Sequence, residues 1–368
     1  MKIALVHEFL NQLGGAERVL ENFLEIWPDA TVHVLIFDQN KTGKIFGSHN
    51  LKTSFLDKCF LSRNHHRWLL PLMPMAVESF DFQDYDVVIS DSSSFAKGAK
   101  SKGKLHICYC HTPTRFLWTE SEKYVDSQKG SWLTKKIAKT ILPSLRKWDL
   151  KASQRPSYFI ANSINVQNRI KKYYNRDSEV IYPPVDTSFF QPQGKKGGYF
   201  FTASRLEPYK KIDLVVETFN KLGWSLKISG VGTQLDKLKS IAKPNIEFFG
   251  RVSDEDLRKM YSESKAFIFP AEEDAGIMVL EAQACGTPVI AYRAGGSLET
   301  IIEGETGEFF DKQTVESLEI VLKNFNSSKY DRLKIRTNGL KFDKKIFQKN
   351  IKGFIEQRFQ EFRKTSNS

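Results

Sequence analysis

Residues 266–291 read AFIFPAEEDAGIMVLEAQACGTPVIA. The run Ala266–Phe269 has strand length and stops at Pro270. MVLEAQAC then carries apolar residues at helical spacing, and PVIA opens a new β-branched run after the Gly286 turn. A strand, a crossover helix and a second strand in so short a span are the unit from which parallel sheets are built. Working outward, GYFFTAS (198–204), SLKISG (225–230), IEFFG (246–250) and GEFF (307–310) predict further strands. LVVETFNKL (214–222), QLDKLKSIA (234–242) and DEDLRKMYSES (254–264) predict the helices between them.

The first half repeats the pattern. KIALVHEFL (2–10) is a strand, Asn11–Gly15 a glycine turn and AERVLENFLEIW (16–27) a helix; TVHVLIF, DVVISDS, LHICYC and SYFIAN follow as buried strands. The expectation is an α/β fold of two Rossmann-like domains facing across a cleft. A chain of 368 residues exceeds what one core supports, which agrees with two domains. Periodicity breaks at 181–198, where Pro183, Pro184, Pro192 and the polar stretch Gly194–Gly198 form the expected flexible linker. We therefore expect an N-terminal domain over 1–190, a C-terminal domain over 191–340, and a last segment over 341–368. In that segment Phe342, Ile346, Phe347, Ile351, Phe354, Ile355 and Phe359 supply an apolar stripe that docks back on the N-terminal domain, ahead of a disordered KTSNS tail.

Hydrophobic residues at 40% and charged residues at 27% are ordinary for a globular protein. The start MKIALVHEFL fits neither a secretory signal nor a membrane span, and no apolar run reaches the roughly 20 residues a bilayer needs, so a cytoplasmic location is expected. Cys59, Cys108, Cys110 and Cys285 form no disulfide pattern. His106, Cys108, Cys110 and His111 lie along one strand, which spreads ligands in a line where a tetrahedral metal site needs convergence.

The formal charge of +12 points to an anionic partner: nucleic acid, acidic lipid or a phosphorylated substrate. No nucleic-acid module is recognisable, so no nucleic-acid partner is expected. Basic residues run through Lys97, Lys100, Lys102 and Lys104. They recur at Lys135, Lys136, Lys139, Arg146, Lys147 and Lys151, interleaved with Trp132, Leu133, Ile137, Ile141, Leu142, Leu145 and Trp148. This second run suits either an anionic membrane surface or a solvated helix face over the core.

Ligands of open α/β sheets bind where strands end and helices begin. Four such loops stand out. Gly14 and Gly15 allow close backbone approach at a helix start, or simply a turn. Arg205 and Lys210, in TASRLEPYKKIDLVVETF, can aim a guanidinium and an ammonium at one diphosphate, or serve as surface charge. Glu273 precedes a helix expected to open near Gly276, whose free amides at Gly276, Ile277 and Met278 face an anion, while Glu281 inside it can accept from ribose hydroxyls. His111 follows the strand LHICYC at a loop stopped by Pro113, in a position that suits a cleft or a packing role.

At these residues the chain resembles the retaining GT-B glycosyltransferases of family 4. The resemblance is carried by HEFLNQLGGAERVL, by HTP at His111, by SRLEPYK at Arg205 and Lys210, and by EEDAGIMVLEAQACGTPVIA. With LPLMPMAVESFDF and ICYCHTPTRFLW it is most similar to bacterial mannosyltransferases that extend O-antigen and other surface polysaccharides. The resemblance implies that Arg205 and Lys210 hold the leaving diphosphate, Glu281 the ribose, Glu273 the donor sugar and His111 the reaction centre. Gly14 and Gly15 would approach the phosphate, and Arg251, Val252 and Ser253 would neighbour the base. It further implies a nucleotide-sugar donor, GDP-mannose, a lipid-linked glycan acceptor, and neither metal nor cofactor. Ala275 stands where the family often has an aromatic residue, so UDP-sugars remain an alternative donor; a sugar-nucleotide epimerase is the alternative enzyme.

Overall fold

The computed structural model describes residues 1–59, 66–119 and 132–366, the side chains of residues 66–67, 132–139 and 366 excepted. The chain divides into two compact units, Met1–Tyr182 with Gln348–Ser368, and Pro183–Phe347.

Unit 1 runs β1 (Ile3–Leu10), α1 (Gly15–Ile26), β2 (Thr31–Phe37), α2 (Gln39–Phe46), β3 (Leu51–Thr53), α3 (Met73–Glu78), β4 (Val87–Ser92), β5 (Leu105–Cys110), α4 (Arg115–Trp118), α5 (Trp132–Ala152), β6 (Tyr158–Ala161), α6 (Ile164–Tyr174) and β7 (Ser178–Val180). Among the described residues its seven strands form one parallel sheet in the order β3-β2-β1-β4-β5-β6-β7. β4 and β5 are buried along their whole length, which explains why both read as apolar or small-residue runs interrupted only by Asp91 and His106. Cys108 and Cys110 pack inside with Phe159, Ala161, Val166 and Ile170, as ordinary core thiols.

Unit 2 runs β8 (Phe200–Ala203), α7 (Ile212–Leu222), β9 (Leu226–Ser229), α8 (Leu235–Ile241), β10 (Ile246–Gly250), α9 (Asp254–Glu263), β11 (Phe267–Phe269), α10 (Ile277–Ala284), β12 (Val289–Tyr292), α11 (Ser297–Thr300), β13 (Gly307–Phe310), α12 (Val315–Asn324) and α13 (Arg332–Leu340). Its six strands are parallel in the order β10-β9-β8-β11-β12-β13. The final helix, α14 (Lys344–Ser366), starts in unit 2, and its body belongs to unit 1. There Ile351, Phe354 and Ile355 are buried, Gln348 Nε2 donates to Asn22 Oδ1 at 3.0 Å, and Phe354 meets Tyr158 edge-on.

Several expectations need correcting. Residues 183–190 go with unit 2, because Val185 bridges Asp343 and Arg336 Nη1 and Nη2 donate to the carbonyls of Phe190 and Thr187. The polar stretch 194–198 is held in place: Lys196 Nζ donates to Ser264 O and Thr287 Oγ1, both at 2.8 Å, and Gly197 N to Glu263 O. α14 continues through Lys364 and Thr365 of the tail expected to be disordered. Ile346 is exposed, Phe342 packs against the core of unit 2 and Phe347 also falls in unit 2, so the stripe on unit 1 begins at Ile351.

The second basic run folds as α5, with Leu145 buried, Trp148 packed on Phe95, and Lys147 and Lys151 exposed. The side chains of Trp132, Leu133, Lys135, Lys136, Ile137 and Lys139 lie outside the described residues. Among the described residues no helix is long and apolar enough to cross a membrane. α5 is pinned by Asp149, a fully buried carboxylate that meets Lys97 Nζ at 2.6 Å and accepts from Thr114 Oγ1, Trp118 Nε1 and Tyr174 Oη, each at 2.8 Å. Removing one partner of a buried pair leaves an uncompensated charge and costs about 3–5 kcal/mol. Asp149→Ala should therefore lower the urea midpoint of unit 1 markedly; an unchanged midpoint would remove this network from the account of how α5 is held.

Candidate functional site

Strand order reverses direction between β1 and β4 in the first sheet and between β8 and β11 in the second. Crossovers on either side of such a point run in opposite directions and leave an opening at the strand carboxyl ends, where ligands of doubly wound folds bind. Gly14, Gly15, Arg205, Lys210 and Glu273 follow the strands at these two reversals, whereas His111 follows β5, one strand further out, and Arg251–Ser253 follow the edge strand β10.

In unit 2 the loop after β8 carries Arg205, exposed, with Nη2 donating to Tyr209 Oη at 2.7 Å. Lys210 ends a short helical turn, lies over the Tyr209 ring at 5.2 Å, and forms an ion pair with Glu273 Oε1 from the loop after β11. Two loops that bracket the strand reversal are thus joined by a cation and a carboxylate. Gly276 opens α10 in the left-handed region at φ 69°, where glycine is favoured, and no side chain caps the helix. The helix therefore begins at an uncapped end, with Ile277 and Met278 in its first turn.

Glu281 sits one turn further in. It is 9% exposed, and its Oε2 accepts from Tyr261 Oη at 3.2 Å. Burial, with Glu281 beside it, pushes the Tyr261 hydroxyl well above its ordinary range, so the phenol stays a donor. Ala275 is buried. Of the residues expected near the base, Arg251 is exposed, Val252 packs against the core, and Ser253 is engaged as the N-cap of α9, accepting from Asp256 N at 3.1 Å.

A further loop, after β12, was missed. Gly296 N donates to Glu273 O at 2.9 Å, and a Cβ on Gly295 would stand 2.1 Å from that same oxygen. Only glycine lets this loop back the Glu273 backbone so closely. The paired glycine after PVIAY was the available signal.

In unit 1, Gly14 is the extended N-cap of α1 and, with Gly15, is exposed at the carboxyl end of β1. His111 lies just past β5, 11% exposed, its Nε2 2.5 Å from Asp91 Oδ1. Asp91, fully buried on β4, accepts through its other oxygen from His7 Nδ1 at 2.9 Å, as the β1–β4 register requires by pairing His7 with Asp91. His7 Nε2 faces Glu17 Oε1 of α1 at 3.9 Å. The neighbouring Glu8 accepts from the amides of Ser94 and Ala96 at 2.8 and 2.9 Å and so fixes the loop after β4. His7, Asp91 and Glu17 were not singled out in the sequence, because each sits inside or beside an otherwise apolar run.

Burial by itself would depress the His7 imidazolium, but its hydrogen bonds and charge interactions with Asp91 and Glu17 outweigh that and push it up to about 10. Burial would likewise raise the Asp91 carboxyl; its interactions with His111 and His7, both hydrogen-bonded to it, hold it below the usual carboxylate range. Among the described residues no group of three or more His, Cys, Asp or Glu side chains is arranged to hold a metal ion.

Two doubly wound parallel sheets, each with polar and charged residues at its strand reversal, define a two-Rossmann-domain protein of the GT-B class. The family model for Glycosyltransferase Family 4 matches residues 13–189 and that for Glycosyl transferases group 1 matches residues 186–342. The chain belongs to glycosyltransferase family 4.

It is 28% identical over 205 residues to the O-antigen chain mannosyltransferase RfbU of Salmonella typhimurium, covering 52% of this chain and 57% of that one. It is 31% identical over 133 residues to the GDP-mannose-dependent alpha-(1-6)-phosphatidylinositol monomannoside mannosyltransferase of Mycolicibacterium smegmatis, covering 31% and 35%. The chain spans about half the length, or less, of these curated relatives. The crystal structure of Anabaena Alr3699/HepE with UDP and glucose shares the fold, with a TM-score of 0.74, 17% identity and coverage of 97% of this chain and 100% of that one.

The raised His7 value fixes a sign. Its contribution to stability is complete below the ordinary imidazole value of 6.5 and is lost as pH rises through about 10. The melting temperature of His7→Gln should therefore lie well below that of the wild type at pH 6, with the gap narrowing toward pH 10; a gap constant with pH would contradict the charged assignment.

Proposed function

We propose that the chain is a retaining glycosyltransferase that moves mannose from GDP-mannose onto a lipid-linked oligosaccharide in surface-polysaccharide assembly. The observation that carries the reading is the junction of Lys210 and Glu273 at the strand reversal of unit 2, with Arg205 on the same loop and the uncapped start of α10 beside it. When the anomeric bond breaks, negative charge grows on the nucleoside diphosphate and positive charge on the sugar. Arg205, Lys210 and the amides of Ile277 and Met278 answer the first, as a metal ion would elsewhere; the Glu273 carboxylate answers the second. Lys210 and Glu273 form an ion pair, so each charge is held by the other. His111 then takes the reaction centre, Gly14 and Gly15 approach the phosphate, and Glu281 turns from Tyr261 toward the ribose.

The mannose assignment is supported by the GDP-mannose-dependent relative and by RfbU. A UDP-sugar donor is the second reading, favoured by the small Ala275 beside the donor loop and by the UDP and glucose bound in the Anabaena relative.

Losing one well-placed transition-state donor costs about 3 to 4 kcal/mol, roughly 10²–10³ in turnover. Arg205→Ala and Lys210→Ala should each show a loss of that order in a transfer assay run with EDTA, with the wild-type product keeping the donor's anomeric configuration by NMR. Folded variants with near-normal turnover would remove these residues from the mechanism, and an EDTA-sensitive wild type would remove the metal-free scheme.

For the donor, a ligand present at 100 times its Kd stabilises the folded state by about 2.7 kcal/mol. GDP and GDP-mannose should raise the melting temperature where UDP and UDP-sugars do not. The reverse order would select the second reading.

A further inference from the structure

His111 has two ring nitrogens, and the structure commits one of them. Nε2 stands 2.5 Å from Asp91 Oδ1, and an ionised carboxylate can only accept, so Nε2 carries the proton. Asp91 cannot turn away, because its second oxygen is held by His7 Nδ1 at 2.9 Å and its side chain is fully buried. The depressed Asp91 carboxyl agrees with its being an anion. His7 is itself backed by Glu17.

His111 is held at two further points, one on its backbone and one on its ring. Its backbone amide donates to Ser92 O at 2.8 Å, and the Tyr109 ring packs edge-on against it at 5.3 Å. Among the described residues no group hydrogen-bonds Nδ1, although the ring is only 11% exposed. A neutral imidazole protonated on Nε2 presents a bare lone pair at Nδ1.

We propose that Asp91, braced by His7, is a positioning residue that locks His111 in the Nε2–H tautomer, leaving Nδ1 as a hydrogen-bond acceptor for a hydroxyl of the sugar substrates. This rests on the placement of His111 at the reaction centre proposed above. An acceptor at that point selects a ligand that offers an O–H. It aligns the sugar without adding a positive charge next to a ring that becomes cationic in the transition state. His7 supplies the counter-charge that keeps the buried carboxylate from standing unpaired and free to rotate. The same arrangement makes His7 and Asp91 matter without either touching substrate.

The first measurement is the ring-nitrogen NMR spectrum of the full-length chain labelled with ¹⁵N-histidine, at pH 8.5, with the His111 signals assigned by their loss in His111→Gln. The wild type should show His111 as a single Nε2–H tautomer. A predominant Nδ1–H form would overturn the proposal without any variant having to fold. In Asp91→Ala the bias should disappear and kcat for sugar transfer should fall on the order of 10²-fold, with little change in the KM for donor. Retention of the Nε2–H form in Asp91→Ala would show that something other than Asp91 sets it. A lost tautomer bias with undiminished kcat would overturn the role at the sugar while leaving the donor-site reading intact. Failure of the donor-site reading, in turn, would show as absence of transfer in the wild type and leave the tautomer spectrum unaffected.

Discussion

Parallel strands cannot be joined by a tight turn, and this constraint governs both units. Each strand must be followed by a crossover, and the crossovers of one sheet must divide between its two faces if both are to be covered. The division is made once in each sheet, between β1 and β4 and between β8 and β11. At that one place neighbouring loops part. His7 and Asp91 lie on the first pair of strands, and Arg205, Lys210 and Glu273 follow the second.

The same edges gather buried charge, and the chain compensates it locally. Glu8 is surrounded by the amides and hydroxyls of residues 92–96, Asp149 by Lys97 and three neutral donors, and Asp91 by two imidazoles. A polar group inside protein is tolerable only when its hydrogen bonds are met. Asp91 differs from the other two in that both side chains hydrogen-bonded to it are histidines. Glu8 and Asp149 fix loops and a helix. Asp91 holds the ring of His111.

Much of this was legible because burial on both faces writes itself as a continuous apolar run. IALVHEFL, TVHVLIF, FIF and VIAY each became strands, and the glycine, proline and charge breaks between them became the loops that hold Arg205, Lys210 and Glu273. β3 and β7 were not read, since each is three residues long, at a sheet edge, and spelled LKT or SEV with exposed charges. Partnership was also invisible: His7 and Asp91 meet because two strands align in register, which the spacing between them in the chain does not encode. For the same reason residues 183–190 fell on the wrong side of the domain boundary, their attachment to residues 336–343 being long-range. Side-chain roles such as that of Ser253, a helix cap rather than a free hydroxyl, follow from where a helix starts to within one residue.

Unit 1 is assembled from two stretches of sequence, whereas unit 2 is one uninterrupted stretch. A ribosome delivers residues in order and domains close as their parts emerge, at about 5–20 residues per second. The first sheet is therefore made early but lacks α14 until residues 348–368 have been synthesised, and the surface that Phe354 and Ile355 will cover waits in the open. Unit 2 has all its own residues before then. The half that is begun first is finished last, and a released chain cut short just before residue 348 would lack part of the N-terminal unit while holding every residue of the C-terminal one.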